Sequence, residues 1–162
     1  MDEESKDIAY YKTPLGTAKI IGDKNGINSI SVQDEEIESS KTIPNSLKDC
    51  ILQLEQYFNN ERSEFDLKLN PTGTEFQKKV WQELLKIPFS KTISYLQQSK
   101  NMDNIKAIRA IASANGKNPI WIIIPCHRVI GSSGSLTGYA SGIWRKKWLL
   151  EHENNIKQMS LF

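Results

Sequence analysis

Residues 118–139 read NPIWIIIPCHRVIGSSGSLTGY, and this stretch decides how the whole chain is interpreted. Its first half contains a continuous apolar run, Ile120–Ile124, that is rich in β-branched residues. A run of this kind predicts a strand that is buried on both faces. Pro125 lacks the N–H that a sheet ladder requires, so we expect the strand to end or turn there. The residues that follow Pro125 are therefore expected at the mouth of a hydrophobic core.

Cys126 follows the proline directly and precedes His127 and Arg128. The thiolate is the nucleophilic form of cysteine, and basic or cationic neighbours make it easier to form. One interpretation of this trio is a reactive thiol. The other is an inert packing residue, because cysteine is among the residues most often found buried. Spacing alone leaves both interpretations open.

The motifs around the cysteine resemble those of the O6-alkylguanine-DNA alkyltransferases, the methylated-DNA–protein-cysteine methyltransferases. The sequence IPCHRVI, with NP before it and GSLTGY after it, is similar to the active-site motif of that family. The resemblance implies a small N-terminal domain of ribonuclease H-like shape and a C-terminal domain that binds DNA and accepts the alkyl group. Further matching stretches are Gly73–Trp81, Ile93–Tyr95, Arg109–Pro119 and Arg145–Glu153.

The same resemblance implies a catalytic set built on Cys126, which attacks the alkyl carbon in a single displacement. A water molecule links the thiol to His127, and Glu153 orients the imidazole, which is the general logic of a catalytic triad. Asn118 matches a hinge asparagine that ties the DNA-binding helix to the active-site turn. Ordinary thiols do not reverse the thioether product, so we expect each molecule to act once, without turnover and without a cofactor.

A pocket for the alkylated guanine is also implied by the resemblance. Tyr95 donates a hydrogen bond toward N3 of the base, and the backbone N–H of Ala140 bonds O6. The backbone carbonyls of Cys126 and Val129 accept the exocyclic amine. Ser90 stands where the family usually has glycine, which puts the geometry of the turn at that residue in question. The other pocket residues are Tyr139 and Ser141.

Two short helices joined by a tight turn are predicted upstream of the cysteine. The first lies around Ser94–Lys100, and the second runs from about Asn104 to Asn115, with Asp103 as its N-cap and Gly116 just beyond its end. This pair, with one basic and small-residue face, predicts a helix-turn-helix. The buried stripe of the second helix is predicted to contain Ile105, Ile108, Ile111 and Ala112. The face predicted to bind DNA contains Lys106, Arg109, Ala110 and Ser113.

The resemblance implies that this second helix enters the minor groove of double-stranded DNA. Arg109 is inserted where the damaged nucleotide leaves the stack, and Tyr95 crowds the adjoining phosphate. Extrusion of the base is required, because a buried thiol cannot reach O6 of guanine while the base stays stacked. We also assign Arg128 to DNA binding, and to an ion pair that holds the active-site turn.

The N-terminal half carries no pattern that indicates chemistry. Residues 8–33 alternate short apolar runs with turn residues, including Asn25-Gly26, and predict an antiparallel meander. Ser46 is expected to cap a helix with a stripe of apolar residues, and Phe65–Leu69 alternates like a last strand. The predicted class is α+β, with domains at residues 1–72 and 73–162. The apolar stripe of the first helix contains Leu47, Ile51, Leu54 and Phe58.

Two further helices are predicted in the C-terminal domain. One begins at Thr74 and ends before Pro88, and the other begins near Gly142 and carries Glu153 at its far end. The apolar face of the first contains Phe76, Val80, Trp81, Leu84 and Leu85. The packing residues of the second are predicted to be Trp144, Trp148, Leu149 and Leu150.

Charge is distributed unevenly along the chain. Residues 1–72 contain 8 Lys and Arg against 14 Asp and Glu, whereas residues 73–162 contain 13 against 5. The net charges of −6 and +8 add to the overall +2. A basic second half predicts a polyanionic partner, in agreement with DNA. Chance segregation of surface charge is the plainer alternative.

Composition narrows the setting in which the protein works. No apolar run approaches the roughly 20 residues that span a bilayer, and the acidic N-terminus is unlike a signal peptide. Cys50 and Cys126 do not suggest a disulfide framework, so we expect the reducing cytoplasm. We also expect a monomer. Neither cysteine lies in a short-range ligand pair, so no metal site is predicted.

Three other functions were weighed against alkyl transfer. A non-catalytic protein that binds alkylation lesions and flags them for another pathway would not need Cys126. A cysteine hydrolase could use Cys126 and His127, but it would leave the basic helix pair unexplained. A transcription regulator would need an additional cysteine-rich metal domain. The range of alkyl groups and any repair of O4-alkylthymine are not encoded in a recognisable pattern.

Overall fold

The computed structural model describes residues 5–134, 136 and 138–159, with side chains as far as residue 154. It divides into two compact units, Met1–Thr72 with Pro119–Trp121, and Gly73–Asn118 with Ile122–Phe162. The first unit is built on an antiparallel sheet and the second is mostly helical. This arrangement confirms the predicted α+β class.

The sheet of the first unit is the meander that the turn residues predict. Its strands are adjacent in chain order and antiparallel. Gly26 turns the chain between the second and third strands with φ of 129°, and a Cβ there would lie 2.6 Å from the carbonyl oxygen of Lys68. Glycine is therefore required both by the backbone conformation and by the close approach of residue 68. The strands are β1 (Asp7–Thr13), β2 (Gly16–Asp23) and β3 (Gly26–Gln33).

Helix α1 (Asn45–Phe58) packs on this sheet through the predicted apolar stripe, and all four of its residues are buried. The prediction that Ser46 caps the helix is wrong. The helix begins one residue earlier, Pro44 occupies the N-cap position, and the Ser46 hydroxyl donates to Asp7 over 2.6 Å. A serine near a helix start can serve a partner distant in sequence as readily as the helix backbone.

The predicted strand at Ile120–Ile124 does not form. Only Ile120 pairs, in a single parallel bridge with Ile30, and Trp121–Ile123 is a turn in which Ile122 has φ of 71°. All five residues are nevertheless buried. A continuous apolar run reports burial on every side, and a buried turn satisfies that pattern as well as a central strand does.

Phe65–Leu69 also falls short of the predicted strand. Leu69 makes one isolated parallel bridge with Ile27. The alternating pattern is real, but Asn70 N and Lys68 O are the backbone groups that bond Ile27, at 2.8 and 2.9 Å. The segment lies beside β3 for too few residues to become a ladder.

Helix α2 (Glu75–Leu84) opens the second unit, and its start is encoded locally. The Thr74 hydroxyl accepts from the N–H of Gln77, and the Gln77 side chain accepts from the N–H of Thr74. This capping box satisfies two backbone donors that the helix leaves free. The buried face contains Val80, Trp81 and Leu84 as predicted, whereas Leu85 is 39% exposed.

The predicted helix pair is present as α3 (Tyr95–Asn101) and α4 (Ile108–Gly116), separated by a 3₁₀ turn at Ile105–Ala107. Ser94 caps α3 by accepting from Gln97 N. Asp103 does not cap the second helix. It lies in the turn with φ of 53°, and the tight connection displaces the start of α4 to residue 108. Ile105, predicted to be buried, is 54% exposed because it belongs to that 3₁₀ turn.

The chain ends in α5 (Ile143–Met159), of which Leu149 is a fully buried packing residue. Trp144 was predicted to pack but is 57% exposed, because it lies in the first turn of the helix. Two short strands, β4 (Ile93–Ser94) and β5 (Val129–Ile130), pair in parallel beside the active-site turn. No helix in the described ranges is both long and apolar enough to cross a bilayer.

Candidate active site

Cys126 begins a 3₁₀ turn, Cys126–Arg128, immediately after Pro125. Cys126 as a residue is half-buried, and the Asn118 amide donates both to its sulfur over 3.2 Å and to the carbonyl of Ile124 over 2.7 Å. Asn118 therefore fixes both ends of the turn that presents the thiol. The neighbouring Ile122 has a left-handed backbone, which is costly for a β-branched residue and persists only where its surroundings enforce it.

The thiol lies in an environment that opposes ionisation on balance. Burial raises the pKa of Cys126, while the hydrogen bond from Asn118, the cation of Lys146 and the hydroxyl of Tyr139 act in the opposite direction. Because the net effect is upward, the group is a protonated thiol at neutral pH. A nearby base is therefore needed to generate the thiolate for attack.

His127 is placed to supply that base. Its Nε2 lies 2.7 Å from Glu153 Oε2, and the side chains of both residues are almost completely buried. Burial lowers the pKa of His127, with Glu153 acting against the shift. The neutral ring therefore carries its proton on Nε2, facing the carboxylate, and offers Nδ1 as a lone pair.

Nδ1 of His127 is buried and has no hydrogen-bond partner in the part of the chain that the structure describes. A neutral imidazole that is anchored by a carboxylate and has an unpartnered ring nitrogen has the protonation state that a general base requires. Glu153 thus orients the ring in the way that the resemblance implies.

Arg128 completes the buried cluster. Its guanidinium bonds Glu153 through Nε at 2.9 Å and Nη2 at 3.1 Å, and Nη1 donates to the carbonyl of Ile87 over 2.8 Å. The predicted ion pair is therefore present. Arg128 was also assigned to DNA binding, but it is only 6% exposed and all of these contacts face inward. Its guanidinium is not available to a phosphate, and we do not retain that assignment.

Besides His127 and Arg128, Glu153 has a third partner that the sequence did not reveal. The backbone N–H of Ser90 donates to Oε1 over 3.1 Å, and Ser90 has φ of 64°. The family's usual glycine would adopt this left-handed conformation without strain, and serine adopts it here. The turn at Ser90, which the change from the family's usual glycine put in question, is therefore present. It directs the backbone N–H of Ser90 toward the carboxylate of Glu153.

Lys146 is a site residue that the sequence analysis missed. It is completely buried, and Nζ lies 5.8 Å from the ring centroid of Tyr95 and 6.0 Å from that of Tyr139. Burial lowers the pKa of Lys146 and the charge of Cys126 acts against that shift. The sequence spacing could have indicated this residue. Residues 146 and 153 are two helical turns apart, so Lys146 shares one face of α5 with the predicted site residue Glu153.

Replacing Lys146 with methionine is expected to make the thiol less reactive. Removing a cation raises the pKa of Cys126 further, and a rise of about one unit lowers the thiolate fraction at neutral pH about tenfold. The rate of iodoacetamide alkylation at Cys126, followed against pH by mass spectrometry, should shift to higher pH. Lys147→Met, at an exposed neighbouring lysine, is the matched control. An unchanged profile for Lys146→Met would refute a role of the ammonium.

A cavity of about 610 Å³ lies within the second unit, beside the two tyrosines. It is large enough for a flipped nucleobase, within the usual range of ligand sites of about 300–1,000 Å³. Val129 is fully buried and Ser141 is half-buried, and in the described ranges neither side chain lines the cavity. Its lining residues are Tyr95, Ala112, Gly116, Gly138, Tyr139 and Ala140.

Two of these lining residues come from the second helix of the pair. Ala112 and Gly116 are four residues apart on α4, so they share one face of the helix and bring its backbone close to the cavity. The helical pattern predicts Ala112 on the buried stripe and Gly116 just beyond the helix end, whereas Ala112 is half-buried and Gly116 is the last residue of α4. Their spacing as two small residues at i and i+4 was the missed signal.

The residues predicted to bind DNA lie on the surface of the same unit. Arg109, Ala110 and Ser113 are exposed on α4, and Lys106 is exposed on the 3₁₀ turn that precedes it. Tyr95 begins α3 and is half-buried. The helix pair therefore presents a basic face. Ala112 and Gly116, which line the cavity, lie three and seven residues after Arg109 and so share its side of α4.

These features define a class: a protein with a basic helix pair, and with a cysteine and a buried His–Glu pair in the same unit as a cavity of nucleobase size. Residues 75–155 match the family model described as 6-O-methylguanine DNA methyltransferase, DNA binding domain, and residues 8–71 match that of its ribonuclease-like domain. The chain belongs to the O6-methylguanine-DNA methyltransferase family.

Individual relatives agree over almost the whole length. The methylated-DNA–protein-cysteine methyltransferase of Methanosarcina acetivorans is 43% identical over 156 residues, covering 91% of this chain and 97% of that protein. The crystal structure of Mycobacterium tuberculosis O6-methylguanine methyltransferase has a TM-score of 0.83 at 39% identity, covering 93% of this chain and 94% of that one. A structure of the M. tuberculosis protein in complex with DNA has a TM-score of 0.81 at 39% identity, covering 91% and 92%.

Proposed function

We propose that the protein repairs DNA by direct reversal, moving an alkyl group from O6 of guanine to the sulfur of Cys126. The observation that carries this proposal is the buried pair of Glu153 and His127, of which His127 directly follows Cys126 in the sequence, with Nδ1 of the imidazole unpartnered among the described residues. The S–C bond forms as the O6–C bond breaks, and guanine leaves as an anion that takes up a proton. Nothing regenerates the thiol, so each molecule reacts once.

The cavity supplies the groups that such a leaving base requires. Tyr95 donates toward N3 and the backbone N–H of Ala140 toward O6, which stabilises the negative charge that develops on the base. The carbonyls of Cys126 and Val129 accept its exocyclic amine. Asn118 keeps the thiol turn in register with α4. Tyr139 contributes a second hydroxyl near the sulfur, and Ser141 follows the lining residue Ala140 at the rim.

We further propose that α4 docks in the minor groove of a duplex, where side-chain insertion and bending make extrusion of a base less costly. Arg109 occupies the space that the flipped nucleotide vacates, while Ala110 and Ser113 allow the helix backbone to approach closely. Lys106 contacts a phosphate. We expect a monomer that works on chromosomal DNA in the reducing interior of a cell, where the thiol persists.

The direct test is the intact mass of the purified protein after incubation with a duplex that carries one O6-methylguanine. A gain of one methyl group that saturates at one per protein is expected. The same duplex without the lesion should cause no change and is the control. Tight binding of the lesion without any mass change would instead favour a lesion-recognition protein, and the absence of both would refute the proposal.

Arg109→Ala is expected to slow transfer from duplex DNA by about tenfold or more, because unstacking a base costs a few kcal/mol that the inserted guanidinium offsets. Transfer from free O6-benzylguanine, which needs no extrusion, should be unchanged. Lys106→Ala provides the contrast. Loss of one phosphate contact should weaken DNA affinity and reduce its salt dependence, with the maximal rate preserved. Identical behaviour of the two variants in single-turnover kinetics would contradict the insertion of Arg109.

A further inference from the structure

Two buried amides connect the two helices of the DNA-binding pair. Gln98 on α3 donates to the side-chain oxygen of Asn115 on α4 over 2.8 Å, and Asn115 donates back to the oxygen of Gln98 over 2.7 Å. The residues are 2% and 5% exposed, respectively. Each amide donates one hydrogen bond to the other and accepts one from it, so the pair forms a closed ring of two hydrogen bonds.

Such a pair constrains the helices in a way that aliphatic packing does not. Apolar side chains keep favourable contacts when two helices slide by a fraction of an ångström, whereas two short hydrogen bonds have one geometry. Either amide left alone in the interior would lose its bonds without gaining water, which is strongly unfavourable. The pair therefore selects one register of α3 against α4.

Gln98 and Asn115 lie close in sequence to residues that are proposed to bind the substrate and the DNA. Gln98 lies one turn after Tyr95, the first residue of α3 and a lining residue of the cavity. Asn115 lies in the last turn of α4, six residues after Arg109, which is about 9 Å along the helix. The indole of Trp81 donates to the carbonyl of Ala114 over 2.9 Å and holds the same end of α4 from the other side.

We infer that Gln98 and Asn115 are a positioning pair, which sets the helix that carries Arg109 against the helix that carries Tyr95. This inference rests on the proposed function. A flipped nucleotide stays attached to a backbone held by α4, so its base reaches the cavity only in the orientation that α4 dictates. A free base has no such tether and can reorient within the cavity.

The test compares two substrates in the full-length protein. In the variant Gln98→Met with Asn115→Leu, both amides become apolar groups of similar size and neither is left unpaired. Single-turnover transfer from O6-methylguanine in a duplex should fall about tenfold to a hundredfold, the range expected when reacting groups are misplaced by about 1 Å. Transfer from free O6-benzylguanine should be unchanged. The exchange Gln98→Asn with Asn115→Gln retains an amide on each helix and should restore most of the duplex rate.

Gln97→Leu is the matched control, because Gln97 lies on the same helix and donates to Asn101 over 2.8 Å, but both residues are exposed. It should leave both rates unchanged. If the apolar pair does not fold, Gln98→Met with Asn115→Met fills the space with more adaptable side chains and takes its place. Equal losses with both substrates, or no loss with either, would overturn the positioning role. Wild-type protein that transfers nothing from either substrate would refute the proposed function, and this inference with it.

Discussion

Cys126→Ser is expected to abolish alkyl transfer while the protein remains folded and bound to lesion DNA. A serine hydroxyl is a far weaker acid than a thiol, so neutral His127 would rarely remove its proton, and the oxygen is a poor nucleophile for a saturated carbon. Loss of the nucleophile from a catalytic unit of this kind costs on the order of 10⁶-fold in rate. Intact mass after incubation with lesion duplex, read beside a gel-shift titration, measures both properties.

Cys50→Ala is the matched control for that experiment. Cys50 is buried in α1, and burial raises its pKa to about 12, so it is inert at neutral pH. The variant should gain one methyl group, as the wild-type protein does. If Cys126→Ser gained a methyl group, or if Cys50→Ala gained none, Cys126 would not be the residue that accepts the methyl group.

Much of this site was predictable because its residues are neighbours in sequence. Cys126, His127 and Arg128 are consecutive, and the small, basic face of α4 repeats at helical spacing. Local chemistry of this kind is visible in a linear pattern. The capping box at Thr74 was not identified, although Thr74 was named as the start of its helix, and the structure bears that start out.

The errors have a common physical origin. Ile120–Ile124 was assigned to a strand because an apolar run records burial but not backbone conformation, and φ of 71° at Ile122 is imposed by the surroundings. Arg128 was placed on the DNA surface because a basic residue in a basic half is usually exposed. Its inward orientation depends on Glu153, which lies 25 residues away.

What could not be predicted at all depends on several elements at once. The third partner of Glu153 is a backbone N–H at Ser90, and any residue other than proline could provide it. Gln98 and Asn115 are polar residues in short helices. Glutamine and asparagine are mostly exposed in proteins, so the sequence does not indicate that both are buried. Lys146 lies near the two tyrosines of the cavity only because α5 returns to them.

Glu153→Gln is expected to destabilise the protein as well as slow the reaction. The variant keeps the size of the side chain, but it leaves the buried guanidinium of Arg128 without a countercharge and His127 without a carboxylate. Removing one partner of a buried ion pair typically costs about 3–5 kcal/mol in the free energy of unfolding. Urea denaturation measures this cost, and Glu151→Gln, at an exposed position on the same helix, should change it by less than about 1 kcal/mol.

The same carboxylate predicts how stability depends on pH. The pKa of Glu153 is lower in the folded protein than in the unfolded chain, so the unfolded chain binds a proton more readily as the pH falls. Its contribution is therefore complete above the ordinary carboxyl pKa of about 4.3 and is lost progressively below it. Wild-type protein should lose more stability than Glu153→Gln when the pH is lowered through this window. Equal losses of stability in the two proteins would show that protonation of Glu153 is not coupled to unfolding.

A double variant separates the stabilising role of Glu153 from its role in the reaction. In Arg128→Met with Glu153→Gln, neither buried charge remains, and replacing a buried pair with apolar and neutral groups is often close to neutral in stability. Much of the lost unfolding free energy should therefore return. Alkyl transfer should stay slow, by about a hundredfold or more, because His127 still lacks the carboxylate that makes it an effective base. Recovery of both stability and transfer rate would mean that Glu153 only neutralises Arg128, and that His127 works without it.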